Sequence, residues 1–574
     1  MRRFRSDAWL AGDDEVAVLH RVALASAGIK FARDGQHPVI GIANSASDLN
    51  PCNLPLRQLA AAVKEGVSAA GGVAVEFPTM SLGEDLMKPS AMLYRNLLAI
   101  EIEETIRAYP LDGIVVLANC DKTVPGALMG AASANLPTVL VTGGARRPAI
   151  FQGRRIGTGT DLWRLWEERR TGALSDDGWR ELEQCLACGP GACNTMGTAS
   201  TMAILSEVLG LMVEGSSTIP TGDPRSLMAA TEAGRVAVAA ACRGVQPSDI
   251  LSPGAFANAF RVLHAIGGST NAVIHLAALA GRVGVAFLLD DVQRLGAGVP
   301  VLADVEPSGT GLIQDFDAGG GVPALVRELS GILDLSARTI AGRTLQDIAD
   351  AAPAPSGAIR VLDHPLGRDG AFAVLRGSLA PDGAIVKTSA ASPHLLRHRG
   401  RAVVFRGYQD MLARIDDPDL EVTADSVLIL AGCGPVGVPG MPEWGMIPIP
   451  VKLGAAGVRD MVRITDARMS GTSFGTVALH VAPEAAIGGP LALVHDGDLV
   501  AIDVDTGRLD LEVAEDELAL RRSGWSPPNS EHLRGWPALF RDHVLQAPEG
   551  CDLDFLRAPT AAHRLFIEPV IGRS

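Results

Sequence analysis

Short apolar runs alternating with helix-patterned stretches constrain this chain more than any other feature. Residues 38–43 (PVIGIA), 111–118 (LDGIVVLA) and 136–144 (LPTVLVTGG) read as buried strands. After the first, PLRQLAAAVKEGVSAAGG places Leu56, Leu59, Val63 and Val67 at steps of three or four, as on one helix face. Pro55 suits its first turn, and Gly71 and Gly72 suit its end. Residues 91–108 repeat the helical pattern up to Pro110, and an Ala-rich helix succeeds the loop NCDKTVPG. Strand–loop–helix alternation of this kind predicts an α/β domain with a mainly parallel sheet.

Residues 195–350 read as mostly helical, with helices in TMGTASTMAILSEVLGLM and GGSTNAVIHLAALAGRVG. Near residue 365 the texture changes. AFAVLRGSLAPDGAIVKTSAAS, RGRAVVFRG, DSVLILAG, ALVHDGDLVAIDV and GRLDLEV are short strands set between Gly, Asp and Pro turns. Two domains are expected, 1–365 of α/β type and 366–574 of β-rich type. The 574 residues, 47% hydrophobic and 20% charged, supply core for both. Lys+Arg 50 against Asp+Glu 65 leaves a charge of −15, which argues against nucleic acid or an anionic membrane surface as partner. No stretch reaches the roughly 18–20 apolar residues of a membrane span. The opening MRRFRSDAWLAGDDE lacks the apolar stretch of a secretory leader. Eight scattered cysteines suit a reducing cytoplasm rather than a disulfide scaffold.

Three of those cysteines sit in loops that come after a strand or lead into a helix: Cys52 in SDLNPCN, Cys120 in LANCDK and Cys193 in GPGACNTMGTAS. In open α/β sheets ligands gather at the carboxyl ends of the strands. A helix N-terminus after Cys193 would favour its thiolate. Three thiolates could hold an iron–sulfur cluster with one open iron site, a Lewis acid for a departing hydroxyl. The alternative is three ordinary small buried residues. A rival local grouping, Cys185, Cys188 and Cys193 in CLACGPGAC, lacks a fourth nearby ligand. Burial is the default for Cys242, Cys433 and Cys551.

Glu84 and Asp85 in SLGEDLMKPS, Asp121, and Glu443 in GVPGMPEWG offer hard oxygens suited to Mg²⁺, or else are solvated charges. Lys122 reads first as an ion-pair partner of Asp121; a neutral amine there could instead take up CO₂ and become an anionic ligand. Ser470 and Thr472, in ARMSGTSFG, are turn residues unless nearby metals make the serine a base. VLILAGCGPVGVPG contains a G-x-G-x-x-G, but Pro439 and Pro442 come where a dinucleotide fold needs a helix.

SDLNPCN, EFPTMSLGED, NCDKTVPGALMGAAS, GACNTMGTASTMA, GGSTNAVIHLAALAGR, GSLAPDGAIVK, GPVGVPGMPEWG and ARMSGTSFG, taken together, resemble the dihydroxy-acid and sugar-acid dehydratase family. They run in family order and cover nearly the whole chain. The resemblance implies a [2Fe–2S] cluster on Cys52, Cys120 and Cys193. It also implies Mg²⁺ on Glu84, Asp121, Glu443 and a carbamylated Lys122, with Ser470 as catalytic base and Thr472 at the substrate. The implied architecture is an N-terminal α/β domain and a C-terminal β-barrel-like domain with the active site between them, in a homodimer or homotetramer. EFPTMSLGED and GACNTMGTASTM look most like the aldonic-acid dehydratases that act on arabinonate or xylonate. The expected reaction therefore dehydrates a 2,3-dihydroxy sugar acid to a 2-keto-3-deoxy acid. The alternatives are the dihydroxy-acid dehydratase of branched-chain amino-acid synthesis, an inactive iron–sulfur scaffold of the same fold, and a nicotinamide oxidoreductase using the Gly432 loop. Pro55 and Gln314 depart from the family pattern, which often has His and Glu there.

Overall fold

The computed structural model describes residues 3–31, 37–529, 534–558 and 568–573. Its first sheet has four strands: β1 (Val39–Asn44), β2 (Val73–Pro78), β3 (Gly113–Leu117) and β4 (Thr138–Val141). They run parallel in the order β2-β1-β3-β4. The chain leaves β1 toward one edge and β3 toward the other, so a topological switch point lies between them. Ligand sites form outside the carboxyl ends of the strands at such a point. β2 was not expected from the sequence; it is an edge strand with only partial burial, and its VAVEFP lacks a continuous apolar run.

Six helices frame the switch point and its surroundings: α1 (Leu56–Ala69), α2 (Arg95–Ala108), α3 (Thr123–Ala134), α4 (Thr198–Val208), α5 (Pro224–Arg243) and α6 (Asn271–Arg282). α1 buries Leu56, Leu59, Val63 and Val67, the predicted face. Its neighbour α5 comes within backbone contact because both carry glycine at the crossing. A Cβ on Gly66 would overlap the Thr231 carbonyl, and one on Gly234 would come to 2.7 Å from Val67 N. α4 and α6 are buried at every residue, so they are core helices rather than surface ones.

The second sheet has eight strands: β5 (Ala373–Leu375), β6 (Gly383–Val386), β7 (Arg397–Arg406), β8 (Val427–Ala431), β9 (Arg463–Thr465), β10 (Val477–Ala482), β11 (Leu499–Asp503) and β12 (Arg508–Leu511). Their order is β12-β11-β7-β8-β9-β10-β6-β5. The centre, β7 to β10, is parallel and the flanks are antiparallel. The two edges meet: Arg376 N donates to Gly507 O at 2.8 Å and Leu509 N to Arg376 O at 2.9 Å. The sheet thus curls into a nearly closed barrel, as expected. After the barrel the chain returns to the α/β part. Trp536 Nε1 donates to Leu93 O at 2.8 Å, and fully buried Arg282 and Asp552 pair at 2.6 Å. Among the described residues no helix is long and apolar enough to cross a membrane.

Candidate active site

Cys52 comes after β1 and Cys120 after β3, so both lie at the switch point. Two asparagine side chains stitch their loops together. Asn53 Oδ1 accepts from Cys120 N at 2.9 Å and Asn119 N at 3.2 Å. Asn119 Nδ2 donates to Cys52 O at 2.7 Å and Gly144 O at 2.9 Å. The Cys193 loop joins them through Gly191 N, which donates to Pro51 O at 3.1 Å. The Cys120 thiol donates to Asp121 Oδ1 at 3.4 Å. The nearness of the Cys52 and Cys120 sulfurs lowers the Cys52 pKa and raises that of Cys120, which burial raises further. Burial, then the charge of Cys52, pushes Cys193 up to about 12. Cys193 therefore gains no thiolate preference from a helix, contrary to expectation: α4 begins five residues later, at Thr198.

The three sulfurs are close enough to interact electrostatically, yet they do not all fall within 4.8 Å of one another. Ligands of one tetrahedral ion, at Zn–S distances of about 2.3 Å, would be about 3.8 Å apart. Three cysteine side chains turned toward one another are the donor set that an iron–sulfur group takes. The rival grouping does not form among the described residues. Cys185 and Cys188 pack with Phe151 and Leu182, and Cys188 Sγ bonds the Arg147 carbonyl at 3.0 Å. Cys433 and Cys551 are buried, Cys551 against Met441, whereas Cys242 is exposed, contrary to the burial expected of it.

Beside the cysteines, oxygens of Glu84, Asp121 and Glu443 all lie within 4.8 Å of one another. Fully buried Lys122 sits among them. It bonds Asp121, lies 2.9 Å from Glu443 Oε1 and stands 3.6 Å from Glu84 Oε2. Arg468, also fully buried, donates to Glu443 Oε1 at 2.8 Å and to Ser90 Oγ at 2.9 Å, and Ser90 donates to Glu84 Oε1 at 2.8 Å. Burial raises the pKa of Glu443, but Lys122 and Arg468 outweigh it and hold the carboxyl at about 2. Burial pushes Glu84 up despite Lys122. For Lys122 the balance reverses: Asp121 and Glu443 overcome burial and keep the ammonium charged. The lysine is an ion-pair partner here, the first of its two expected roles. Glu84 Oε2 is buried without a hydrogen bond. Three converging hard oxygens, one of them unsatisfied, fit a divalent cation such as Mg²⁺. Asp85 is not part of this triad.

Ser470 and Thr472 occupy the loop between β9 and β10. Their hydroxyls are 3.0 Å apart. Thr472 is locked from the α/β side: Trp163 Nε1 donates to its Oγ1 at 3.0 Å and Thr160 Oγ1 to its carbonyl at 2.8 Å. Bare backbone allows this fit. A Cβ on Gly471 would come to 2.6 Å from Thr198 N, and one on Gly197 to 2.9 Å from Thr472 Cγ2. Asn271, first residue of α6, ties the loop to the carboxylates by donating to Met469 O at 3.2 Å and Glu443 Oε1 at 2.8 Å.

Asn53, Asn119, Asn271, Ser90 and Arg468 were missed from sequence. The asparagines at 53 and 119 adjoin the flagged cysteines in PCN and NCD, which is the one available hint. The glycine loop after β8 is not a dinucleotide site. Asp466 accepts from Gly432 N at 3.0 Å and Cys433 N at 2.8 Å, and Glu484 from Val436 N at 2.9 Å and Gly437 N at 2.8 Å. The loop's anions are its own chain's carboxylates, and the next helix starts only at Val451.

An α/β switch point carrying sulfurs and carboxylates, faced by a serine loop from a β-barrel, defines a two-part enzyme. The N-terminal and C-terminal profiles of the dihydroxy-acid/6-phosphogluconate dehydratases match residues 37–348 and 357–551. The chain belongs to that family and is a hydro-lyase. It is 46% identical to a 6-deoxy-6-sulfo-D-gluconate dehydratase of Pseudomonas putida over 98% of each chain. Identity to an L-arabinonate dehydratase of Rhizobium leguminosarum bv. trifolii is 45%, over 97% of this chain and 96% of the relative. A dihydroxy-acid dehydratase of Roseiflexus sp. is 40% identical over 90% of this chain and 93% of its own.

Proposed function

We propose that the protein removes water from a 2,3-dihydroxy sugar acid and yields a 2-keto-3-deoxy acid. The observation that carries this reading is the Glu84–Asp121–Glu443 triad, with its unsatisfied oxygen, tied through Asn271 to the Ser470 loop. The sulfonated-gluconate and arabinonate enzymes among the relatives support a sugar acid over a branched-chain acid.

Cys52, Cys120 and Cys193 would hold a [2Fe–2S] group, and Glu84, Asp121 and Glu443 a Mg²⁺ ion. When bound, these supply Lewis-acid polarisation of the substrate's carboxylate and hydroxyls. Ser470 Oγ, as the alkoxide, takes the proton from C2 as the C3–O bond breaks. That proton passes to the departing hydroxide, which leaves as water and restores the alkoxide, and the enol becomes the ketone. Thr472, fixed by Trp163 and Thr160, orients the serine hydroxyl and meets the substrate. Arg468 keeps Glu443 ionised. Lys122 Nζ, held charged by its carboxylates, would shed its proton and accept CO₂ only after another cation takes over the pairing. The division near residue 365, a cytoplasmic location and a homodimeric or homotetrameric assembly belong to the same reading.

The test is an anaerobic panel of pentonates, hexonates and 2,3-dihydroxyisovalerate, read out as 2-keto acid. Turnover confined to the branched-chain acid would overturn the sugar-acid reading. Ser470→Ala should keep the brown colour and lose nearly all turnover; a near-normal kcat would remove serine from the base role.

A further inference from the structure

Arg146 is a half-buried cation whose guanidinium has a cysteine sulfur as its side-chain partner. Among the described residues no carboxylate lies within 4.0 Å of its guanidinium, although most arginines of this chain have one. Its Nη2 instead points at Cys52 Sγ, 3.7 Å away. Its Nε donates to Gly191 O at 3.0 Å, and its backbone N to Ala192 O at 2.8 Å. One residue therefore bonds the Cys52 sulfur and the loop that carries Cys193. The position is braced from behind. Gln314 Nε2 donates to the Arg146 carbonyl at 2.6 Å. This gives a role to Gln314, one of the two departures from the family pattern. A carboxylate there has no N–H to donate to that carbonyl.

An isolated buried cation is costly unless paired. Iron-bound cysteine sulfur carries thiolate charge, so a loaded site gives this guanidinium a close counter-charge. An N–H donor and a positive charge at a ligating sulfur stabilise the more electron-rich state of the iron it binds.

Granting the reading that the three cysteines hold an iron–sulfur group, we propose that Arg146 is a positioning residue of that group. It neutralises thiolate charge and donates to Cys52 Sγ, and so raises the group's reduction potential. Gln314 holds it in place.

The experiment is a reductive titration of anaerobically reconstituted full-length protein, monitored by electron paramagnetic resonance, with iron content measured alongside. Arg146→Met should shift the one-electron equilibrium toward the oxidised form by about tenfold, which is about 59 mV for one electron. At the wild-type midpoint roughly a tenth of the group would then be reduced instead of half. Arg146→Gln, neutral but still polar, should behave alike and serves if the Met variant fails to assemble. A wild-type chain that takes up no iron would contradict the cofactor reading itself. Loaded variants with the wild-type midpoint would overturn the role of Arg146 while leaving that reading intact.

Discussion

Removing the Asn53 side chain should cost the α/β domain about 4 kcal/mol, a magnitude built from two buried donors. Asn53 is fully buried. Its Oδ1 receives the backbone N–H of both Cys120 and Asn119, and its Nδ2 donates to Ser45 O at 3.2 Å and Ser81 Oγ at 3.0 Å. In Asn53→Ala the two N–H groups have no other acceptor, and each orphaned buried donor costs about 1–3 kcal/mol. Loss on the Nδ2 side matters less, because Ser45 Oγ already bonds Leu117 O at 2.7 Å. Urea unfolding of the metal-free protein, monitored by far-ultraviolet circular dichroism, measures the loss. The same variant should bind less iron on reconstitution, because the loops of Cys52 and Cys120 are no longer fixed to each other. A loss below about 1 kcal/mol, typical of an exposed polar substitution, with full iron uptake, would refute the stitching role.

His264 is buried, with Nε2 donating to Val292 O at 2.9 Å and Nδ1 accepting from Ala371 N at 3.1 Å. Burial lowers its pKa from 6.5 to about 4. The unfolded chain therefore binds the extra proton first, and stability present above pH 6.5 is lost as pH falls through about 4. His264→Gln should lessen that loss by about 3 kcal/mol, read from urea midpoints across the range; equal pH slopes in both proteins would contradict it. Arg468→Met removes a fully buried partner of Glu443 and should cost about 3–5 kcal/mol in the same assay, since breaking a buried pair strands a charge; an unchanged midpoint would show the pair to be idle. Gly471→Ala would set a Cβ 2.7 Å from the Ser269 side chain and push the Ser470 loop off α4. Its kcat should drop about a hundredfold with iron content kept, and undiminished turnover would mean that the close fit is not needed.

The sulfur and oxygen residues proposed as ligands were legible as candidates because each sits in a loop bounded by a clear apolar run or a Gly- and Pro-rich turn. Strand period and loop position locate such residues without any knowledge of tertiary contacts. The supporting residues were not legible. Arg468 serves Glu443, 25 positions away, and Ser90, 378 positions away, and no local pattern encodes a partner at those distances. β9 was missed for a related reason. It has three residues, Arg463–Thr465, and is held by parallel neighbours on both sides rather than by its own alternation. β10, with VALHVA, carries Ala, Leu and His that suit a helix equally well until pairing decides. The glycine loop after β8 shows the opposite case. Its motif is real, but the carboxylates that meet its amides, Asp466 and Glu484, lie 34 and 48 positions from their first donors.

The central claim is that Cys52, Cys120 and Cys193, and not the CLACGPGAC run, grip iron beside a separate oxygen-bound cation. Anomalous diffraction at the iron edge from anaerobically reconstituted crystals tests it most directly. Two iron peaks bounded by those three sulfurs, with a lighter ion among Glu84, Asp121 and Glu443, are the expected result. Iron at Cys185 and Cys188, or iron within the carboxylate triad, would contradict it.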